Sequence, residues 1–188
     1  MCISRNDIKG NYSEALVTKL AFMVAKTGDF LGFVKEYMYD EDPIVVRNAL
    51  SALSKATDEE VSQLAPIRNE LIDMAIRCNN SSIRRALFGV ILRLDMKEED
   101  VRTDFLDHCL GKMVDPDEVP SVQSLCMKLA YKMCGFYPEL MEELKRTLES
   151  MEISYYTPAV KSVRSKILRI NGGVKNSGVS ENNRSVLK

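Results

Sequence analysis

Hydrophobic residues recur along this chain at helical spacing, and one pattern of them occurs four times. The best copy spans residues 42–53, from an acidic residue and a proline to a closing leucine. The four copies align at steps of 37, 39 and 38 residues on Val46, Ile83, Val122 and Val160. In each copy the next residue is long and polar: Arg47, Arg84, Gln123 and Lys161. A nearly constant period of this size predicts a helical repeat architecture.

Each copy carries an apolar stripe that only a helix would align on one face. In the third copy the apolar residues fall at helical offsets, as Val122, Leu125, Cys126, Leu129, Ala130 and Met133. The last copy departs from this stripe, because Arg164 stands where the earlier copies have Leu50, Leu87 and Cys126. A polar residue there fits a terminal repeat, whose outer face meets water.

Further helices are predicted before and between the four copies. Residues 15–25 are apolar almost all the way round, which predicts a buried amino-terminal cap helix. Gly28 and Asp29 should end that helix and begin the next one. Companion helices are expected in three segments, of which the first should bend or restart at Pro66: residues 58–78, 98–114 and 138–151. Each repeat is therefore a helix pair, and the fold class is all-α.

The carboxyl end of the chain differs from the rest in its sequence pattern and in its charge. We expect one domain over residues 1–171 and a flexible basic tail over 172–188, where glycines and asparagines replace the apolar periodicity. The net charge is −1, but residues 155–188 carry +6, which leaves −7 on residues 1–154. A basic end on an acidic body suits either a negatively charged partner or a solvated tail.

Composition indicates an ordinary soluble chain, with 45% hydrophobic and 28% charged residues. Its longest apolar run, residues 20–25, is too short to cross a bilayer, and the amino terminus lacks a signal-peptide pattern. We therefore expect a cytoplasmic protein. The five cysteines are odd in number and show no Cys-x-x-Cys spacing, so we expect reduced thiols and neither a disulfide nor a metal site.

The pattern Asp-x-x-x-Val-Arg-x-x-Ala-Leu, from Asp42 to Leu50, resembles the HEAT-repeat class of the armadillo-type fold. The resemblance covers residues 28–171 as four repeats after the cap helix. It implies a right-handed α-α superhelix, whose motif helices line a concave surface. It also implies a hydrogen-bonded ladder between repeats, formed by Asp42, Arg47, Asn79 and Arg84. The candidates to line or border the concave surface are Arg85, Lys128, Lys132, Lys161 and Arg164.

The residues give little support for a catalytic function. His108 could form a metal fragment with Asp104 or a nucleophile pair with Cys109. Neighbouring helical residues point about 100° apart, however, and no spacing supplies further metal ligands. A surface histidine is the better interpretation. Neither a phosphate-binding glycine loop nor a nucleophile elbow occurs. We therefore predict a protein that is not an enzyme and needs no cofactor.

A binding surface is instead predicted at the basic carboxyl-terminal end, near Phe136 and Tyr137. Its residues are Tyr155, Tyr156, Lys161, Arg164 and Arg169. Tyrosine and arginine dominate protein-binding hot spots and also stack on nucleic acids. The alternative is that the tyrosines cover the gap between helix pairs, while the basic residues favour a helix dipole.

Two functions follow from this surface. The first is an interaction module that presents a concave helical surface to a protein or peptide partner. The second is nucleic-acid binding, as in the DNA-glycosylase branch of the same superfamily, against which the acidic body argues. A lyase resembling the bilin-lyase repeat proteins does not fit, because their repeats are shorter than this period.

Overall fold

The computed structural model describes residues 3–172, and every regular element in that range is helical. The chain divides between Asp95 and Met96 into two compact units, which are described separately below. Gly172 still belongs to the last helix. The predicted tail beyond it lies outside the described residues, and the predicted single domain stays a prediction.

The first unit contains seven α-helices and two short 3₁₀ turns within its described residues. The helices are α1 (Arg5–Ile8), α2 (Glu14–Thr27), α3 (Phe30–Tyr37), α4 (Pro43–Ala52), α5 (Asp58–Ser62), α6 (Arg68–Arg77) and α7 (Ser81–Arg93). The 3₁₀ turns are Leu53–Lys55 and Ala65–Ile67. In its packing, α4 lies against α2 and α7, while α3 covers α4 and α6 covers α7. The motif helices α4 and α7 are therefore neighbours, as a repeat fold requires.

Local sequence explains most helix ends in this unit. Gly28 ends α2 in the left-handed conformation at φ 70°, where a side chain would be strained. The carboxylate of Asp29 then caps α3 by accepting from the Gly32 amide at 2.7 Å. Asp42 caps α4 in the same way through the Ile44 amide at 2.9 Å. The predicted break at Pro66 is confirmed, because a 3₁₀ turn separates α5 from α6 there.

The cap helix α2 is less covered than predicted. Val17, Leu20 and Val24 are buried along one face. Phe22, on another face, is 61% exposed, and the Lys26 ammonium lies 4.4 Å from its ring centre. The expectation of a helix buried on several sides is therefore wrong. An all-round apolar pattern shows what a helix could bury, whereas the elements packed against it decide what it does bury.

The second unit contains four α-helices and two 3₁₀ turns within its described residues. The helices are α8 (Thr103–Val114), α9 (Pro120–Cys134), α10 (Pro138–Ser150) and α11 (Pro158–Gly172). The 3₁₀ turns are Glu98–Asp100 and Ile153–Tyr155. The motif helix α9 packs against both α8 and α11, and α10 lies against both α9 and α11. Two helix pairs, α8–α9 and α10–α11, thus share one core.

Candidate interaction surface

The turn between α10 and α11 presents two tyrosines in different ways. Tyr155 is 76% exposed, and Ile153 beside it is also exposed. Tyr156 instead donates a hydrogen bond from its hydroxyl to the Val114 carbonyl at the end of α8, over 2.9 Å. The turn is therefore tied to α8 through Tyr156, while the ring of Tyr155 projects into solvent.

Arg164 also has a partner inside the unit. Its Nε donates to the Leu148 carbonyl at 2.5 Å, and its Nη2 lies 3.4 Å from the Glu149 carbonyl. These carbonyls belong to the last turn of α10, where the helix has no amide of its own to offer them. Arg164 is thus a carboxyl-terminal cap for α10. This contact explains why an arginine interrupts the apolar stripe of the last repeat.

Helices are capped in a similar way by Arg84, which was predicted for the ladder, and by Gln123 at the equivalent position of the third copy. Arg84 donates from Nε and Nη2 to the Cys78 carbonyl, at 3.1 and 2.6 Å. Gln123, one repeat later, donates from Nε2 to the Asp115 carbonyl at 2.7 Å. Both carbonyls follow the last residue of the preceding companion helix. The long polar residue of the motif therefore closes its own helix pair in these two copies.

The first copy uses different contacts. Arg47 donates to the Oδ1 atom of Asn48 at 3.1 Å and stacks its guanidinium 5.3 Å from the ring centre of Tyr12. Asp42 pairs with Lys9 at 3.3 Å, besides capping α4 through the Ile44 amide. Asn79 is exposed, and the ladder between repeats through Asp42, Arg47, Asn79 and Arg84 stays a prediction.

Two polar residues that the sequence pattern missed hold the first unit together. Asn48 is fully buried, and its Nδ2 donates to the carbonyls of Ile8 and Gly10, each at 2.9 Å. Asn80 caps α7 by accepting from the amides of Ser82 and Ile83. The run Asn79-Asn80-Ser81 was a signal for this cap, but the aligned period selected Asn79 rather than its neighbour.

Lys161 and Arg169 lie on α11, partly exposed and exposed respectively. Neither forms an ion pair or hydrogen bond through its side chain with any residue between 3 and 172. Lys166 is exposed and, three residues before Arg169, shares a helix face with it. Together with Lys128 of α9 these residues form what we call the basic face: Lys128, Lys161, Lys166 and Arg169.

Within the basic face, the ammonium groups of Lys128 and Lys166 lie near each other. Partial burial lowers the pKa of Lys128, and the nearby Lys166 ammonium lowers it further. Of the other residues predicted to border a concave surface, Lys132 is partly exposed on α9 and Arg85 is exposed on α7, in the first unit.

The residues weighed for catalysis, Asp104, His108 and Cys109, all lie on α8. Burial raises the pKa of the Cys109 thiol well above its usual value, and the neighbouring Cys126 thiol adds to this effect. A thiol held in the neutral form is a poor nucleophile. Asp104 pairs with Arg102 at 2.6 Å, and this hydrogen bond lowers the pKa of the Asp104 carboxyl. His108 is only partly exposed. Within residues 3–172, no three histidine, cysteine or acidic side chains are grouped so as to hold a metal ion.

Stacked helix pairs, closed by side chains from their motif helices, define an all-α helical-repeat protein. A family model described as HEAT repeat domain matches residues 4–170, and the chain belongs to the HEAT-repeat family. No curated protein and no solved structure matched the chain. None of the helices in the described range is long and apolar enough to span a membrane.

Proposed function

We propose that this protein is a non-enzymatic interaction module that holds a protein or peptide partner through the carboxyl-terminal end of its second unit. HEAT repeats generally serve as scaffolds for protein interactions. The single observation that carries the proposal is Tyr155, whose ring is 76% exposed at the tip of an anchored turn. An exposed tyrosine on a fixed backbone can be buried by a partner at little conformational cost.

The position of Lys161 supports the same surface. In two earlier repeats the equivalent residues, Arg84 and Gln123, are occupied in capping a companion helix. In the last repeat Arg164 caps the companion helix from another position, and Lys161 has no such role among the described residues. Lys161 and Arg169 are therefore available to an acidic partner, while Tyr156 and Arg164 support the surface from behind.

The non-enzymatic part of the proposal rests on the state of the reactive groups. The thiol of Cys109 is buried and protonated, and the carboxylate of Asp104 is neutralised by Arg102. The described cysteines Cys78, Cys109, Cys126 and Cys134 are free thiols. Free thiols are typical of a reducing compartment, and we accordingly place the protein in the cytoplasm.

A pull-down from cell lysate tests the proposal, with nuclease present throughout. The bait variants are Tyr155→Ala and the double variant Lys161→Glu, Arg169→Glu. A matched control reverses two exposed lysines of the first unit, Lys19→Glu and Lys35→Glu. A partner that is retained by the wild type and the control but lost from both bait variants supports the proposal. Equal recovery with all four baits would remove this surface from consideration.

Nucleic-acid binding is the second candidate function, and the charge near Lys128 is the observation that favours it. The Lys166 ammonium is close enough to lower the pKa of Lys128, and a phosphate backbone would relieve the repulsion between the two groups. Binding of this kind weakens steeply as salt rises, because it releases counterions. Recovery of nucleic acid that disappears with nuclease, or between low and moderate salt, would replace the first proposal with the second.

A further inference from the structure

The first unit contains a cleft of about 320 Å³ where the turn after α3 meets α6. Tyr39 contributes from the turn, and the other side chains come from α6 and the residue after it. The lining residues are Tyr39, Glu70, Asp73, Met74, Arg77 and Cys78. Ligand pockets in proteins begin at roughly 300 Å³, so this cleft has room for one amino-acid side chain and little more.

Helical spacing explains why these α6 residues converge. Glu70, Asp73, Met74 and Arg77 fall three or four residues apart and therefore share one helix face. The end of this face is held in place, because the Cys78 carbonyl accepts two hydrogen bonds from Arg84. The Cys78 thiol is also engaged, with its sulfur 3.4 Å from the Asn80 carbonyl oxygen. Hydrogen bonds within the first unit thus hold the backbone at one end of the cleft.

The cleft combines an aromatic ring with negative charge. Tyr39 is 65% exposed, although it lies beside the partly buried Met74. Burial of part of the ring raises the pKa of Tyr39, and the carboxylates of Glu70 and Asp73 raise it further. Arg77 acts in the opposite direction. Two carboxylates against one guanidinium leave a net negative charge in the cleft beside the aromatic ring.

We propose that this cleft binds an arginine side chain of a partner protein, stacked on Tyr39 and paired with Glu70. A guanidinium is planar and can lie flat on the ring while its edge donates to a carboxylate, which a compact ammonium does less well. The apolar stem of the arginine would lie along Met74. Arg77 lines the same cleft and offsets part of its negative charge.

This inference rests on the proposed function, in that it assumes a protein partner, but it concerns a different surface. Its test is therefore a titration that does not involve the basic face. The probe is N-acetyl-arginine methylamide, added to the ¹⁵N-labelled full chain and followed by amide chemical shifts. We expect saturable shifts at Tyr39, Met74 and Arg77, and binding at least about threefold weaker for the neutral citrulline analogue.

Variants separate a true site from a nonspecific charge effect. Tyr39→Ala and Glu70→Gln should each weaken binding of the arginine probe, whereas Arg77→Gln should tighten it by removing a nearby positive charge. The matched control is Glu139→Gln, an exposed carboxylate at the start of α10, which should leave binding unchanged. All four side chains are exposed, so circular dichroism should show that each variant stays folded.

Three results would overturn the inference. These are shifts that do not saturate, equal binding of the citrulline analogue, and stronger binding of N-acetyl-leucine methylamide, which would indicate an apolar occupant. Failure of this titration would leave the pull-down through Tyr155 and Lys161 unaffected, because the arginine probe does not test that surface. Conversely, saturable and charge-dependent binding would support the cleft even if the basic face captured no partner.

Discussion

The hydroxyl of Tyr156 and the carbonyl of Val114 are joined by a hydrogen bond of 2.9 Å, which ties the turn before α11 to the end of α8. Tyr156→Phe removes the donor and leaves this last carbonyl of α8 to solvent. We expect a loss of about 1 kcal/mol in the free energy of unfolding, measured by urea denaturation. Tyr155→Phe is the matched control, because its hydroxyl is exposed. Equal effects of the two substitutions would show that the hydrogen bond does not stabilise the turn.

Arg84 offers a second test of how the helix pairs are closed. Arg84→Met keeps the apolar stem but removes both hydrogen bonds to the Cys78 carbonyl. We expect it to lower the free energy of unfolding by about 1 to 3 kcal/mol, because hydrogen bonds from a charged donor are stronger than neutral ones. The neighbouring Arg85→Met changes an exposed side chain and should have a much smaller effect. Gln123→Met should fall between them, since it loses one neutral hydrogen bond.

A consequence for the cleft follows from the same substitution. Arg84 donates to the carbonyl of Cys78, which lines one end of the cleft. Arg84→Met should therefore also weaken binding of the arginine probe. Urea denaturation and the amide titration, performed on the same sample, separate loss of stability from loss of the site. Unchanged affinity in a destabilised Arg84→Met protein would show that the cleft does not depend on this anchor.

The repeat period predicted the helices correctly, because the residues that define the period are also the residues that pack in the core. Val46, Ile83, Val122 and Val160 are all buried, and the helices that carry them lie against neighbours in each unit. Helix boundaries were also predicted correctly where a single residue marks them, as at Gly28, Asp29 and Pro66. These features depend on residues close in sequence, which is why spacing alone predicts them.

The hydrogen-bond partners of the polar residues could not be predicted from sequence spacing. The partners of Arg84, Gln123, Tyr156 and Arg164 are backbone carbonyls, which every residue carries and no pattern marks. The exposure of Phe22 depends on which elements pack against α2 rather than on the side chain itself. The sequence therefore indicated that the basic carboxyl-terminal end was unusual. The structure shows that Tyr156 and Arg164 bond to backbone carbonyls and that Tyr155 is exposed, and a binding role for Tyr155, Lys161 and Arg169 stays a prediction.

Acid should weaken the first unit through the pair formed by Arg5 and Asp40. Arg5 donates to both carboxylate oxygens of Asp40, at 2.8 and 2.9 Å, and this hydrogen bonding lowers the pKa of Asp40. A lowered pKa in the folded state means that the pair stabilises the protein above the unfolded value of about 3.9. That contribution is lost as the pH falls through the lower folded value.

The measurement for this pair is the urea midpoint of the wild type and of Arg5→Met between pH 6 and pH 2.5. We expect the difference between the two proteins to be present at pH 6 and to shrink below about pH 4, as Asp40 takes up its proton. Lys35→Met, on an exposed residue of α3, controls for the loss of one positive charge. A difference that stays constant over the whole range would mean that Arg5 acts through packing rather than through Asp40.

Thiol reactivity should distinguish one cysteine from the others of the described chain. Burial raises the pKa of Cys134 to about 11, with Glu143 adding to the shift, and it raises the pKa of Cys109 as well. Cys126 is also fully buried, whereas Cys78 is partly exposed.

In a Cys2→Ser background, which removes the cysteine outside the described residues, we expect one thiol, that of Cys78, to react readily with a disulfide reagent at pH 7.5. The other three should react only in denaturant, because all three are buried and the raised pKa values of Cys109 and Cys134 also make their thiolates scarce. Cys78→Ser should abolish the ready reaction. Fast labelling that persists in this variant would mean that the α8–α9 core opens on the time scale of the assay, and that its thiols are less protected than their burial indicates.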